Sequence, residues 1–477
     1  MSDRSRHPKA LPYLFLTEMW ERFGFYTVQG MLVLFMTRAF GFSDDKSYTV
    51  AGMFTSLAYL APMIGGLIAD RLLGFRLSII LGGIFLSLGY ATLAIMVRPF
   101  FYVGLGIVIV GNGLFKPNIS SLLGTLYRSG DTARESGFTL FYMGINIGVL
   151  LSGASGTIQG YFGWHVVFAL ASLGLLIGLA IFLKGIRSGN LHYSNAHLVK
   201  NPNRFLKKPW IIFYCVFAVL FSSFLLRDTL FGKWLLPVTG VALLCFMFFL
   251  AFREDGEDRR GILSLNALII SSVIFWMLLW QIFFSVNLFI DRLVDKKMFG
   301  IEVPTTWFYT LESIFIILLG PFLAWSWTTL NRSQKNPSPF SKFILAIFFV
   351  GSGFMLLTVS TFFTNTHHLV SPWWIFVSYF LMTVGELLLS PTGLAAVTSL
   401  SPARLTGMMM GIWFAALGFG GQFGGWLAKF SSIPDTVRDV LLQLPVYRAA
   451  FFDYTCIAWG VCIILFFLQS LVRSRES

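Results

Sequence analysis

The first apolar stretch of the chain contains the run Glu18-Met19-Trp20-Glu21-Arg22-Phe23-Gly24-Phe25-Tyr26. Glu18, Arg22 and Tyr26 recur every four residues, Glu21 stands beside Arg22, and Gln29 extends the series. At 3.6 residues per turn these side chains form one stripe of a helix. A charge at the centre of a bilayer costs about 2.5–3.5 kcal/mol on insertion scales. Such a stripe therefore faces water or other charges, and two acids against one base leave a negative charge to be compensated. Lys116, deep in a later apolar run beside Pro117, is the expected compensating base. Two further acids, Glu312 and Glu386, sit in apolar stretches of the second half. A carboxyl group that alternates between a dry environment and the neighbourhood of a cation can take up and release a proton, which is the physical requirement of a proton-coupled carrier. The six histidines (His7, His165, His192, His197, His367 and His368) fall in loops or at the edges of apolar runs. Carboxyl groups, not a histidine relay, are therefore expected to carry the proton. No His-Glu-x-x-His, Gly-x-Ser-x-Gly or phosphate-binding loop occurs, which argues against an enzyme and against ATP-driven transport within this chain.

The elements that must position these charges follow from composition. Of 477 residues 56% are hydrophobic and only 12% charged, and mean hydropathy is +0.75. Soluble domains carry about 25% charged residues, so a water-soluble globule and a disordered chain are excluded. Phe contributes 52 residues, with 14 Trp and 15 Tyr, as suits a lipid-facing surface with aromatic belts. The formal charge of +13 is dispersed among loops and reads as a topology signal, not as a nucleic-acid surface. Cys215, Cys245, Cys456 and Cys462 sit in apolar runs without metal-type spacing, so neither disulfides nor metal sites are expected.

Fourteen runs are long enough to cross a bilayer, for which about 20 apolar residues suffice. They span roughly 11–39, 49–70, 76–97, 100–124, 136–156 and 164–184, then a pair at 209–226 and 234–252, then 262–291, 306–330, 340–363, 372–398, 404–428 and 450–472. In lipid each must satisfy its backbone internally, so each is predicted to be an α-helix. Sorting the loops alternately from an inside N-terminus puts about two thirds of the loop Lys and Arg on the cytoplasmic side, the richest segment being Lys184, Arg187, Lys200, Arg204, Lys207 and Lys208. This bias predicts both termini in the cytoplasm. Three parts are expected: a six-helix bundle over 1–186, a basic linker with an inserted hairpin over 187–261, and a second six-helix bundle over 262–477. Transporters built from repeats place their sites near the bilayer midplane at the repeat interface. Close helix packing is the expected use of Gly144, Gly148, Gly153 and Gly156 in the fifth span and of Gly418, Gly420, Gly421 and Gly424 in the thirteenth, the eleventh of the two six-helix bundles.

The loop expected after the second span, Gly66 to Arg76 with Asp70-Arg71 at its centre, resembles the Gly-x-x-x-Asp-Arg-x-x-Gly signature of the major facilitator superfamily. Four further runs together resemble the proton-dependent oligopeptide transporter family. These are Glu18 to Phe23, Gly113 to Ser120, Phe141-Tyr142-x-x-Ile145-Asn146-x-Gly148, and Gly385-Glu386-Leu387-x-x-Ser390-Pro391. The resemblance covers most of the chain, and bacterial members of the family also carry an extra pair of spans. It implies an all-α polytopic membrane protein with the major facilitator fold, in which two six-helix bundles and the hairpin make 14 transmembrane helices. It also implies symport of protons with di- and tripeptides by alternating access, in the bacterial inner membrane, with the proton gradient in place of any cofactor. By resemblance Glu18, Glu21 and Arg22 are the coupling cluster and Lys116 its partner, while Tyr26, Tyr59, Asn146, Trp276, Glu386 and Trp413 line the pocket. A peptide zwitterion needs a cation for its carboxylate and an acid for its ammonium, which Lys116 and Glu386 would supply.

Three positions depart from the family pattern. Gln29 stands where a second arginine is frequent, Trp280 (followed by Gln281) where many members have glutamate, and Glu312 where asparagine is usual. Gln29, Gln281 and Glu312 are therefore counted among the binding residues. A carrier of the same fold for an amino acid derivative or a drug-like cation is the competing expectation, since the pocket loses a base and moves an acid. A receptor or scaffold without transport fits the paired intramembrane charges less well.

Overall fold

The computed structural model describes residues 7–127, 133–191, 208–333, 337–434, 436–437 and 439–473. His192, His197, Lys200, Arg204 and Lys207 lie outside the described residues.

Sixteen α-helices are found among the described residues. They are α1 (Leu11–Arg38), α2 (Asp44–Ile68), α3 (Phe75–Leu93), α4 (Arg98–Thr125), α5 (Ala133–Ser152), α6 (Ser155–Phe162), α7 (Trp164–Arg187) and α8 (Lys208–Arg227). Then follow α9 (Thr229–Arg253), α10 (Gly256–Leu279), α11 (Ser285–Leu293), α12 (Thr306–Arg332), α13 (Pro339–Ser360), α14 (Pro372–Leu400), α15 (Thr406–Ala428) and α16 (Val440–Arg473). The only strands among the described residues are β1 (Lys297–Met298) and β2 (Ile301–Glu302), an antiparallel pair between α11 and α12. All but α6 and α11 are long enough to span a bilayer, which gives the fourteen expected crossings. Twelve spans also pass by apolar composition. The two long helices that do not are α1, which carries Glu18, Glu21 and Arg22, and α15, which is diluted by seven glycines and Gln422.

Two expected spans are interrupted. The fifth ends as α5 at Ser152, and after Gly153-Ala154 the chain starts the short α6. In the 262–291 run, α10 gives way to a 3-10 turn at Trp280–Ile282 before α11. Phe283 and Phe284 donate to the Trp280 and Gln281 carbonyls there, so the break leaves no backbone donor without a partner at either position. The segment expected as a loop after the second span is instead a continuation of α2, one π-helical turn over Ala69–Leu73. Gly74 closes it, donating to Ala69 O at 2.7 Å with φ of 77°, a backbone angle that glycine adopts without a Cβ clash. Asp70 and Arg71 lie exposed on that turn.

By packing the chain divides into two units. Unit 1 comprises residues 1–32 and 57–228, and unit 2 residues 33–56 and 229–477. This division follows contacts, whereas that at 186/187 and 261/262 follows chain order, so the two hairpin helices go one to each unit. Unit 1 is organised around α4, which packs along α3 and carries α8 on its other side. Its helices meet at glycines. A Cβ on Gly65 of α2 would lie 1.9 Å from Gly113 O, and one on Gly82 of α3 would lie 2.7 Å from Phe115 N. Unit 2 is built on α13 with α14 and α16, and on α10 with α15. The start of α2 also belongs to it, since a Cβ on Gly52 would meet the Gly425 Cα at 2.8 Å. Ion pairs hold the same region: Arg292 reaches both Asp44 carboxylate oxygens at 2.7 Å, Lys429 pairs with Asp45 at 3.0 Å, and Arg38 pairs with Asp291.

Candidate functional site

In unit 1 the polar stripe of α1 is buried. Glu18, Glu21 and Arg22 are each at most 2% exposed. The Arg22 guanidinium is hydrogen-bonded to Glu21 and lies 3.3 Å from Glu18. Its geometry is set from behind by α5, where a Cβ on Gly148 would stand 2.4 Å from Met19 O and 2.8 Å from the Arg22 Cβ. Gly144 gives the same close approach to Phe15. From α4, Asn112 accepts from Arg22 at 3.4 Å and donates to Ala58 O at 2.7 Å, which ties three helices together. Glu18 Oε2 and Glu21 Oε1 are buried with no hydrogen-bond partner among the described residues. Each acid thus keeps one oxygen without a hydrogen bond among the described residues, an arrangement suited to a carboxyl group that accepts a proton.

Lys116 stands differently from expectation. It makes no ion pair within 4.0 Å among the described residues; Arg22 alone pairs the two acids. Its ammonium lies 4.1 Å over the Tyr59 ring, a cation–π contact, while remaining in electrostatic range of Glu18 and Glu21. The local sequence explains the placement. Gly113 lets α4 press on α2, Phe115 packs at Gly82, and Lys116 is left on the face that carries Tyr59. Tyr26 and Tyr59 are partly exposed, and Gln29 is buried. Asn146 is buried and donates to Tyr142 O of its own helix at 3.0 Å.

In unit 2, Glu312 of α12 and Glu386 of α14 lie in electrostatic range of each other, and Glu386 Oε2 is buried with no hydrogen-bond partner among the described residues. Trp276 is partly exposed, and its Nε1 has no hydrogen-bond partner among the described residues. Its Cβ is pressed by Gly420, where an added Cβ would come within 2.5 Å. Two expected binding residues have structural positions instead. Gln281 is fully buried; its amide donates to Met277 O and Gly424 O, and its oxygen accepts from Ser285. That saturates the side chain and pins the break after α10 to α15. Trp413 is 2% exposed because its indole lies on Gly393, with Phe343 edge-on at 6.1 Å. Trp280, where an acid is frequent, is likewise buried and donates to Leu417 O at 3.2 Å.

Two kinds of residue were missed in the sequence. Asn112 had a signal, since it lies four residues before Lys116 on the same helical face. Tyr90 and Tyr379 had none. Both are fully buried with hydroxyls that have no partner among the described residues, Tyr90 in electrostatic range of Glu21 and Tyr379 of Glu312.

A sequence profile of the POT family matches residues 76–443. Dipeptide and tripeptide permease B of Salmonella typhimurium is 32% identical over 469 residues, covering 96% of this chain and 94% of that protein. The peptide transporter YePEPT of Yersinia enterocolitica is 34% identical over 447 residues, covering 88% and 87%. Among solved structures, that of a peptide transporter POT in complex with sulfate superposes with a TM-score of 0.86 at 28% identity, covering 99% of this chain and 96% of that one. The expected major facilitator fold of a polytopic membrane protein therefore stands. With the profile spanning most of the sequence, and relatives above 30% identity matched along nearly their whole length, the chain belongs to the POT family.

Proposed function

We propose that the chain imports di- and tripeptides together with protons by alternating access, driven by the proton gradient and without a cofactor. The reading places it in the bacterial cytoplasmic membrane with both termini inside. The observation that carries it is the buried Glu18–Arg22–Glu21 cluster, with one unpartnered oxygen on each acid. Protonating either acid weakens its hold on Arg22, so proton uptake and the availability of positive charge are one event. The relatives' names, dipeptide and tripeptide permease B and peptide transporter, support peptides as the substrate.

Residue roles follow from charge. Lys116, a cation with no acid bound to it, is assigned the peptide carboxylate, and Tyr59 holds the ammonium in place through its ring face. Glu386 is assigned the peptide ammonium. Neither Lys116 nor Glu386 reads side chains, so a range of short peptides is accepted. The test is uptake of a labelled dipeptide into proteoliposomes with and without an inward proton gradient, competed by other dipeptides, by amino-blocked dipeptides, by amino acid derivatives and by drug-like cations. Gradient-dependent uptake competed by free dipeptides is the expected result, with blocked peptides weak competitors. Uptake indifferent to the gradient, or competed only by the non-peptide compounds, would overturn the proposal.

A further inference from the structure

One end of unit 2 carries the α11–α12 and α13–α14 loops, and most of its acids have a base. Asp44 is held by Arg292, Asp45 by Lys429, and Asp291 by Arg38 and Lys296. Asp295 and Lys297 differ. Neither makes an ion pair within 4.0 Å among the described residues, although Glu302 stands opposite Lys297 in the β1–β2 register. The Asp295 carboxylate is fixed by neutral donors instead, the Lys297 amide at 3.1 Å on one oxygen and Asn365 Nδ2 at 3.0 Å on the other. The two loops are stitched by their backbones, Asp295 N donating to Val370 O at 2.8 Å and Val370 N to Leu293 O at 2.7 Å. Asn365 Oδ1 in turn accepts from the His367 and Leu369 amides. The acid is thus held in a hydrogen-bonded frame while its charge stays uncompensated.

Both charges line one cavity of about 590 Å³, with Phe299, Phe363, Trp373 and Trp374 in its walls. That volume falls in the range of small-molecule sites, about 300–1,000 Å³. Phe299 meets Trp373 edge-on at 6.3 Å, and Phe363 stacks on Trp374 at 5.8 Å. The rim is apolar and uncovered: Phe299 is 88% exposed, Phe363 61% and Trp373 53%. Phe299 and Gly300 form the tip of the β1–β2 turn with φ of 51° and 81°. A two-residue hairpin turn favours Asn or Gly at the first of these positions, and a bulky residue adopts it only under strain. A large ring held there in the open suits lipid and not water. Trp373 lies in the first turn of α14 and Phe363 three residues beyond α13, so the rim is at the helix ends. That is the level at which aromatic side chains meet lipid headgroups.

We infer that this cavity binds the headgroup of a zwitterionic phospholipid of the phosphatidylethanolamine type, with its ammonium on Asp295, its phosphate on Lys297 and the start of its acyl chains over Phe299 and Trp373. One acid and one base, neither of them paired, complement a ligand that carries one ammonium and one phosphate. A purely anionic headgroup would leave Asp295 without a partner and be repelled by it. Phosphatidylcholine keeps a positive charge for the rings but has no N–H to donate to the carboxylate. A dipeptide carries the same two charges, yet the uncovered aromatic rim at the helix ends favours the ligand that brings its own apolar chains. The site goes beyond the proposed symport and does not depend on it, because lipid occupancy is read without transport.

The test is native mass spectrometry of the full chain in mild detergent, titrated with phosphatidylethanolamine, phosphatidylcholine or phosphatidylglycerol of identical acyl chains. The wild type should retain one phosphatidylethanolamine at a concentration about tenfold below that needed for the other two, the factor expected from one hydrogen bond to a charged group. Asp295→Asn should erase that preference. Lys297→Gln should weaken all three lipids about equally, by about tenfold. Lys297 is exposed, so this second variant should fold as the parent does and decides the matter if Asp295→Asn does not. Equal retention of the three lipids by the wild type would show an unspecific aromatic belt and overturn the inference. So would a preference that survives both substitutions. Displacement of the lipid by a saturating free dipeptide would overturn it in favour of a peripheral peptide site. A chain that retains the lipid as expected but imports no peptide would instead overturn the proposed function and leave the lipid site standing.

Discussion

Replacing Glu21 by glutamine separates coupling from binding, because the structure limits the damage to one charge. Arg22 loses its ionised neighbour but keeps Glu18 at 3.3 Å and Asn112 at 3.4 Å. The loss should therefore fall below the roughly 3–5 kcal/mol that follows when a buried charge is left wholly unpaired, and Glu21→Gln should fold and elute as the parent does. Glutamine mimics the protonated acid permanently, so the cluster can no longer load and unload a proton at that position. One pH unit is worth about 1.36 kcal/mol per proton. With one proton per neutral peptide and a gradient of about one unit, the wild type can accumulate substrate up to about tenfold. The assay is accumulation of labelled dipeptide in proteoliposomes under that gradient, alongside counterflow with no gradient. For Glu21→Gln the internal to external ratio should stay near one while counterflow persists. A folded variant that still accumulates several-fold would refute the coupling role. One that loses counterflow would show that Glu21 serves binding instead.

Lys116→Ala should raise the half-saturation for dipeptide counterflow by about 10- to 100-fold, since a hydrogen bond to a charged group is worth about 1.5–3 kcal/mol; an unchanged value would remove Lys116 from the carboxylate site. Gly148→Ala should lower the thermal midpoint, because its Cβ would meet Met19 O and the Arg22 Cβ and such overpacking costs about 1–3 kcal/mol. Gly407→Ala, with nothing within 4 Å of the added atom, should leave the midpoint where it is.

Most of the architecture is legible in the sequence because lipid imposes one solution. A run of apolar residues must become a helix, and even α1 is recognisable since its charges fall on one stripe. The breaks were not legible. Trp280–Ile282 contains no Gly or Pro to mark a break, and Gln281 is the one polar residue there. The ion-pair cluster of Glu18, Glu21 and Arg22 could be read directly, because four-residue spacing on a helix is a geometric statement. Lys116 reads as a base that compensates the acids of α1, and the structure places its ammonium over the Tyr59 ring with no acid within 4.0 Å among the described residues. The sequence shows that a base is needed, whereas the packing of Gly113 and Phe115 decides which ring it meets. Trp413 is expected in the pocket by the family resemblance, and Gln281 by the departure from the family pattern beside it. Only the structure shows Gln281 hydrogen-bonded at both ends of its amide and Trp413 seated on Gly393. An orphan hydroxyl such as that of Tyr379 has no sequence signature, since tyrosine is common wherever a helix is partly wet.

The Trp280 indole bears on which mutational routes are open to this chain. Its N–H holds the Leu417 carbonyl of α15, and its ring fills a buried space after α10. Replacing it by glutamate would remove the second donor to Leu417 O, open a void and bury a new acid in one step. A charge at position 280 is therefore closed to this chain by single substitution: Trp280→Glu is expected to cost stability unless the residues around the indole change with it.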